Sequence, residues 1–322
     1  MSARDRFEDD EIDVAAPDAS RDLTITEQSA DRAQSIRPSD PRSRGEAYAE
    51  LRQRVEGGWE PRQFPAPSAE LGRFDPERAA LPFISIDAAA KYIQEHRSAR
   101  PWLAAADPAS PEARRILATA DAGGGHGHIR HEGWVTEEAS MRRAAYLEDP
   151  AQLDPGKRYL GIDGLQLDDQ PHRCRSTSTR ITDPEAFATA FARGVEHPKV
   201  REALDMAFDP EKKPSGVTVP IADLLGRDGH RYCTGWRLEP AEGSMKTARA
   251  NRDAWLTARE EGREPDISQP QARPVTTFEG GVMTFLFERK DAEKRYAIAT
   301  MFPRPADDTP RTNRPELTEG RR

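Results

Sequence analysis

Apolar residues recur at helical spacing between about residue 82 and residue 196, and this spacing predicts a series of helices. From capping residues and apolar repeats, helices are predicted to begin near Asp87, Pro111, Thr136 and Thr182. The start at Thr182 is a predicted capping box, because Glu185 follows it by three residues, and Gly194 is predicted to end that helix.

The last third of the chain changes to aromatic-rich and alternating runs. The segments "RYCTGWRL", "GVMTFLFER" and "RYAIATMFP" are each typical of a β-strand, and the third stops at Pro303. The charged "KDAEK" joins the second run to the third, which predicts a hairpin. Helices followed by antiparallel strands predict an α+β fold rather than a doubly wound α/β sheet.

Composition divides the 322 residues into parts of different character. Residues 1–80 carry 12 Lys and Arg against 18 Asp and Glu, with repeated prolines and sparse apolar residues. Such a segment cannot bury enough apolar surface to fold, so we predict a disordered acidic leader over 1–80 and a disordered tail over 306–322. Between them we expect a helical lead-in over 81–120 and the functional domain over 121–305.

The sequence shows no segment that would direct the chain into a membrane. The N-terminus "MSARDRFEDDEIDV" lacks the apolar core of a signal peptide, and no run approaches roughly 18 apolar residues. Cys174 and Cys233 have no metal-ligand spacing and predict no disulfide framework. We therefore expect synthesis in the cytoplasm, and any export would use a route without a classical signal peptide.

Three of the seven histidines lie in one window, "GGGHGHIRHEG" at residues 123–133. The spacing of His126, His128 and His131 resembles the zinc-ligand box of metallo-β-lactamase-type hydrolases, but Arg130 stands where that family has an aspartate. A fixed positive charge among metal ligands is unfavourable, so zinc-dependent hydrolysis is the weakest alternative and no metal is expected. In a purely structural alternative, the histidines satisfy backbone groups of a tight loop and His128 is solvated.

The segments "GGHGHIRHEG", "STSTRITDPEAFATAF" and "RYAIATMFP" follow one another in an order that resembles the bacterial RNase A-like toxin domain of contact-dependent inhibition and other polymorphic toxins. Those domains begin with a Gly-Gly-His motif, continue through a helix with arginines and a Ser-Thr/Thr-Asp segment, and end on a strand bearing Thr-x-Tyr-Pro. The match is of ordered motifs over about residues 115–305. The resemblance implies an RNase A-like α+β fold, an endoribonuclease without a cofactor, an RNA substrate and a cognate immunity protein, with neither DNA nor a membrane as partner.

The resemblance also implies a catalytic set, carried over to His126, His131, Arg142 or Arg143, and Thr300. An RNase A-type cleavage uses the 2′-OH of the RNA as nucleophile, so it requires a base, an acid and a group that stabilises the phosphorane, but no metal. Histidine suits both proton-transfer roles because its ordinary pKa of ~6.5 leaves both forms available near neutrality. His126 is expected to be the general base, and His131 either the general acid or a residue that orients the loop.

Substrate-binding residues are predicted in "HRCRSTSTR", residues 172–180, which places arginines beside hydroxyls. Arg175, Ser178 and Thr179 are the candidates there, and Phe302 is a fourth, at a position where the family commonly has tyrosine. Beyond the leader, acidic and basic residues nearly balance, whereas a tight RNA binder normally carries a basic stripe. The main alternative is therefore a non-catalytic interaction protein built on a degenerate version of the domain.

Overall fold

The computed structural model describes residues 83–98, 100–107, 109–148, 150 and 176–308. The predicted leader, 1–80, and the predicted substrate-binding residue Arg175 lie outside the described residues, as does the predicted tail beyond Asp308.

In the described part of the chain, five helices precede the first strand, and strands predominate after residue 205. The helices are α1 (Ile86–His96), α2 (Pro101–Ala105), α3 (Pro111–Ala122), α4 (Gly127–His131), α5 (Glu137–Tyr146), α6 (Pro184–Glu196), α7 (Pro198–Leu204), α8 (Ile221–Leu225) and α9 (Met245–Glu260). The strands are β1 (Thr177–Ile181), β2 (Val217–Pro220), β3 (Cys233–Leu238), β4 (Ala272–Pro274), β5 (Val282–Lys290) and β6 (Arg295–Arg304). Short 3-10 turns form at Gly229–Tyr232, Asp291–Glu293 and Ala306–Asp308. The predicted α+β class is confirmed.

Hydroxyl caps begin the first long helices. The Thr136 side chain accepts a hydrogen bond from the N–H of Ala139 at 2.7 Å and begins α5 at its predicted start. Ser110 caps α3 in the same way, with Pro111 at the first helical position. The N-cap of α1 lies two residues before the predicted one. Ser85, not Asp87, caps the helix, because its hydroxyl accepts a hydrogen bond from the N–H of Ala88.

The predicted capping box at Thr182 is wrong. Asp183 caps α6, because its carboxylate accepts from the N–H of Ala186 at 2.9 Å. Glu185 instead accepts hydrogen bonds from the backbone N–H and the hydroxyl of Ser110, at 2.9 and 2.7 Å. The carboxylate that the pattern assigned to a local cap therefore joins the beginnings of α6 and α3.

The strands form two antiparallel sheets of three strands each, in the orders β1-β3-β4 and β2-β5-β6. The predicted hairpin is confirmed, since β5 and β6 pair along their length and the turn at Asp291–Glu293 joins them. A bulge between Leu286 and Phe287 shifts the register against β6 by one residue.

Gly194 lies inside α6, which continues to Glu196, so its predicted role as the end of the helix is wrong. A Cβ at this position would overlap the ring of Phe285 on β5. The missing side chain lets α6 pack directly on the second sheet.

Contacts of the folded unit cross both predicted domain boundaries, and the main core itself crosses the first. Ile116 of the predicted lead-in belongs to the same buried cluster as Phe187 of α6 and Met301 of β6. At the other end, Asp307 in the first turn of the predicted tail accepts a hydrogen bond from Arg237 at 2.7 Å. Within the described residues, the lead-in and the start of the tail are therefore part of the folded unit.

Candidate active site

The glycine-rich segment docks against the middle of β6. The backbone N–H of His126 donates to the carbonyl of Ala299 at 2.8 Å. A Cβ on Gly127 would lie 2.8 Å from the backbone nitrogen of Met301 and 3.4 Å from the Cα of Thr300, so a larger residue would push the segment away. The glycines thus place His126 beside Thr300, and these are two of the predicted catalytic residues.

His131, at the end of α4, is held between strands of the two sheets. Its Nδ1 donates to the carbonyl of Thr179 on β1 at 2.7 Å, and its ring stacks on Phe302 of β6 with the centroids 5.2 Å apart. Because a carbonyl can only accept, Nδ1 carries a proton, and the neutral ring then has its lone pair on Nε2. The side chain contacts both strands and is largely buried, with 8% of the residue exposed.

Two buried threonines share one face of the β5–β6 hairpin with Phe302. Thr284 lies directly opposite Phe302, and Thr300 is two residues from it along β6. Thr300 is 3% exposed and Thr284 5% exposed, and neither hydroxyl has a hydrogen-bond partner within the described ranges. Burying a hydroxyl without a partner costs about 1–3 kcal/mol, so this face carries polar groups that do not serve the fold.

Ser178 and Thr179, both predicted to bind substrate, make contacts within the fold. The hydroxyl of Thr179 donates to the carbonyl of Pro303 at 2.6 Å, which ties β1 to the end of β6. The hydroxyl of Ser140 on α5 lies 3.0 Å from that of Ser178. Arg143 follows Ser140 by three residues, so it lies on the side of α5 that meets β1.

Arg142 is engaged elsewhere. Its Nε and Nη2 donate to the two carboxylate oxygens of Glu148 at 2.8 and 2.9 Å, and both side chains are buried. A bidentate pair of this kind uses the directions in which a guanidinium would hold a phosphate. The structure therefore does not bring Arg142 to His126 as a phosphate ligand.

His128 is buried, not solvated as the structural alternative expected. It is 2% exposed, and its Nε2 donates to Oδ1 of Asp121 at 2.9 Å. The indole N–H of Trp134 donates to the backbone carbonyl of His128 at 2.9 Å. The His128 side chain thus points toward the end of α3.

The three imidazoles of the glycine-rich window do not converge. The ring of His128 bonds to Asp121, whereas that of His131 bonds to the backbone of β1. Across the described ranges, no group of three His, Cys, Asp or Glu side chains is placed to hold a metal ion. In the described residues, the spacing of these histidines therefore does not produce a shared metal-ligand site.

Glu132, directly after α4, is a buried carboxyl group at the edge of this region. It is 1% exposed, and its Oε1 accepts no hydrogen bond from any residue that the structure describes. Burial raises the pKa of Glu132 to about 8, although the backbone N–H groups of Gly133 and Trp134 donate to the carboxylate. The carboxyl group is therefore largely protonated at neutral pH.

Comparison with protein-family models, curated proteins and solved structures finds no match to this chain. Among the described residues, no helix is both long and apolar enough to span a membrane.

Asp121 and Thr284 are residues that the sequence analysis did not select. Asp121 carries a signal in retrospect, because an acidic residue in the last turn of a helix opposes the helix dipole unless other groups hold it. Thr284 has no such signal. Its place opposite Phe302 depends on the register of a long-range strand pair, which spacing along the chain does not reveal.

Proposed function

We propose that this protein is a metal-independent ribonuclease of the RNase A-like toxin class, with an RNase A-like arrangement of its α+β fold. The observation that carries the proposal is the meeting of α4 and β6. His126 and His131 are five positions apart in the sequence, and both contact that strand: His126 through its backbone N–H at Ala299, and His131 through its ring at Phe302. Cleavage through the 2′-OH requires such a pair of proton-transfer groups.

In this mechanism one histidine removes the proton of the 2′-OH and the other protonates the leaving 5′-oxygen. The hydrogen bond from His131 Nδ1 to Thr179 suits either role, because the ring donates from Nδ1 in both its neutral and protonated forms. Neutral His131 would act as a base through Nε2, and protonated His131 would act as an acid from the same atom. The rigid hold on the ring supports catalysis because it orients that nitrogen in advance.

The group that stabilises the phosphorane is proposed to be Arg143, supported by Thr300. Arg143 lies on the side of α5 that faces β1, whereas Arg142 is bound to Glu148. The hydroxyl of Thr300 is able to donate to a non-bridging phosphate oxygen, since no described residue uses it. Phe302 supplies no phenolic hydroxyl, so Thr300 carries more of this role than it would beside a tyrosine.

The proposal includes the setting that the family resemblance implies. The substrate is RNA, and a cognate immunity protein would cover the region around α4 and β6. The protein would be made in the cytoplasm and exported as an effector without a classical signal peptide. It would require neither a cofactor nor a DNA or membrane partner.

Cleavage of total bacterial RNA in EDTA tests the proposal, with 2′,3′-cyclic phosphate ends as the readout. The purified chain is expected to produce these ends, and His126→Ala and His131→Ala are expected to lose at least about 100-fold in rate, the lower range for a general acid or base. His230→Ala is the matched control, because His230 lies in the separate 3-10 turn before β3. Equal cleavage by all four proteins would refute the assignment of the histidines.

A non-catalytic interaction protein is the second candidate, favoured by the burial of the site. His131 and Thr300 are each less than a tenth exposed, and Arg142 is held in an internal ion pair. An enzyme of this class would be expected to present these groups in an open cleft. A folded parent that produces no cyclic phosphate ends would decide for this candidate, and affinity capture of a protein partner would be the next experiment.

A further inference from the structure

We infer that Asp121 and His128 are positioning residues that hold α4 in place, so that the three N-terminal helices are part of the proposed catalytic unit. This inference rests on the proposed function, because α4 carries the loop and ring that the mechanism uses. It assigns a role to the one histidine of the glycine-rich window that the mechanism leaves out.

Asp121 gathers donors from three separate elements. Its Oδ1 accepts from the indole N–H of Trp102 on α2 at 2.8 Å and from Nε2 of His128 on α4 at 2.9 Å. Its Oδ2 accepts from the hydroxyl of Tyr92 on α1 at 2.8 Å and from the guanidinium of Arg100, directly before α2. One carboxylate at the end of α3 therefore joins α1, α2 and α4.

The surroundings of Asp121 favour its ionised form, which accepts the hydrogen bonds from all three helices. Burial by itself raises its pKa, but the hydrogen bond and charge of His128, with the bonds from Trp102 and Tyr92, outweigh burial and hold the pKa well below its usual range. Burial and the bond to Asp121 raise the pKa of Tyr92 to about 12, so its hydroxyl remains a donor. An ionised carboxylate has lone pairs for all four donors, whereas an asparagine side chain has a single accepting oxygen.

His128 connects Asp121 to the segment that carries the two proposed catalytic histidines. It lies two residues after His126 and three before His131, and it lines the same small cavity as Gly125, Gly127 and Thr300. Its backbone carbonyl is also fixed, by the indole of Trp134. Loss of the Asp121 bond is therefore expected to loosen the segment between the two proposed catalytic histidines without touching either one.

Asp121→Asn in the full chain tests the inference, with Asp107→Asn as the matched control. Asp107 lies shortly after α2, in the same helical region as Asp121. It forms an ion pair with Arg97 in which each side chain is 44% exposed. Asp121→Asn is expected to lower kcat for RNA cleavage about 10-fold or more with little change in KM, since displaced catalytic groups slow the reaction rather than weaken binding. Asp107→Asn is expected to keep both constants. KM rising while kcat stays unchanged would overturn the inference.

A second pair of variants separates positioning from proton transfer. His128→Ala removes the donor to Asp121, whereas His128→Gln retains an N–H donor of similar reach but cannot act as an acid or base at neutral pH. Glutamine is expected to recover most of the rate that alanine loses. A His128→Gln protein that is folded yet as slow as His126→Ala would overturn the positioning role, because His128 would then transfer a proton itself.

Amide hydrogen exchange over residues 126–131 gives a readout that does not depend on ribonuclease activity. Asp121→Asn is expected to exchange faster in this segment than the parent, with β5 and β6 unchanged. Unchanged protection of the segment would overturn the inference. A parent that cleaves no RNA would refute the proposed function, and the exchange result alone would then decide whether Asp121 holds α4.

Discussion

Replacing Thr300 by valine is expected to stabilise this protein while it slows RNA cleavage. Thr300 is 3% exposed, and its hydroxyl has no partner in the described part of the chain. Valine keeps the β-branched shape and removes the hydroxyl. Because an unpaired buried hydroxyl costs about 1–3 kcal/mol, the free energy of unfolding is expected to rise by about 1–2 kcal/mol.

The same substitution at Thr179 provides a control of opposite sign. Thr179 is also buried, at 4% exposed, but its hydroxyl donates to the carbonyl of Pro303 at 2.6 Å. Valine there leaves a buried carbonyl without its donor, so Thr179→Val is expected to lose about 1–2 kcal/mol. Both variants remove a buried hydroxyl by the same change of side chain, but among the described residues the hydroxyl is bonded at Thr179 and not at Thr300.

Urea unfolding at neutral pH measures both effects, as shifts of the midpoint at constant slope. RNA cleavage under the same buffer conditions reports the functional cost at Thr300, expected to be about 10-fold or more for a lost transition-state hydrogen bond. A Thr300→Val protein that is destabilised as much as Thr179→Val would refute the reasoning. That result would mean that the Thr300 hydroxyl has a partner in the folded protein.

Three further predictions concern Glu132, Arg142 and Gly194, which all lie inside the fold. Glu132→Gln is expected to change how stability depends on pH: between the ordinary pKa of 4.5 and the folded value of about 8, the unfolded chain loses a proton that the folded chain keeps, so the parent loses stability as pH rises. From pH 5 to pH 8 the parent is expected to lose about 3 kcal/mol more than Glu132→Gln in urea unfolding, and parallel pH profiles would contradict this. Arg142→Ala is expected to lose about 3–5 kcal/mol of stability because it removes the guanidinium that pairs with the buried Glu148 carboxylate, and a variant of unchanged thermal midpoint would exclude that role. Gly194→Ala is expected to lose about 1–3 kcal/mol of stability because its Cβ would overlap the ring of Phe285. Calorimetry measures this loss, and unchanged stability would mean that the position is open.

Local signals predicted several elements correctly. Thr136 begins α5, Pro111 occupies the first turn of α3, and the two alternating runs around "KDAEK" form the β5–β6 hairpin. In each case the determining contacts lie within a few residues of one another along the chain. A cap bonds to a backbone N–H three residues away, and a hairpin brings together neighbouring strands.

Helix α9 shows where the apolar pattern was insufficient. No helix was predicted over Met245–Glu260, and one residue on the buried side of this helix is charged. Arg252 is 3% exposed and donates to the carbonyl of Ala144 at 3.0 Å, in line with the buried Ala248 and Leu256. A pattern of apolar positions cannot predict that an arginine is buried when its hydrogen-bond partner lies more than a hundred residues away.

The sequence by itself determined the α+β class and the hairpin, because caps, turns and alternation act over short distances. The fold also gives the reason why residue 127 is glycine, since a Cβ there would lie against the backbone of β6. Only the tertiary structure decided the roles of the polar groups: Glu185 bonds to Ser110, Arg142 to Glu148 and His128 to Asp121. Each of these side chains had a plausible local or solvent-exposed alternative. For Arg142 and His128 burial removed it, because a buried charge or donor is stable only with a partner that the folded chain brings to it.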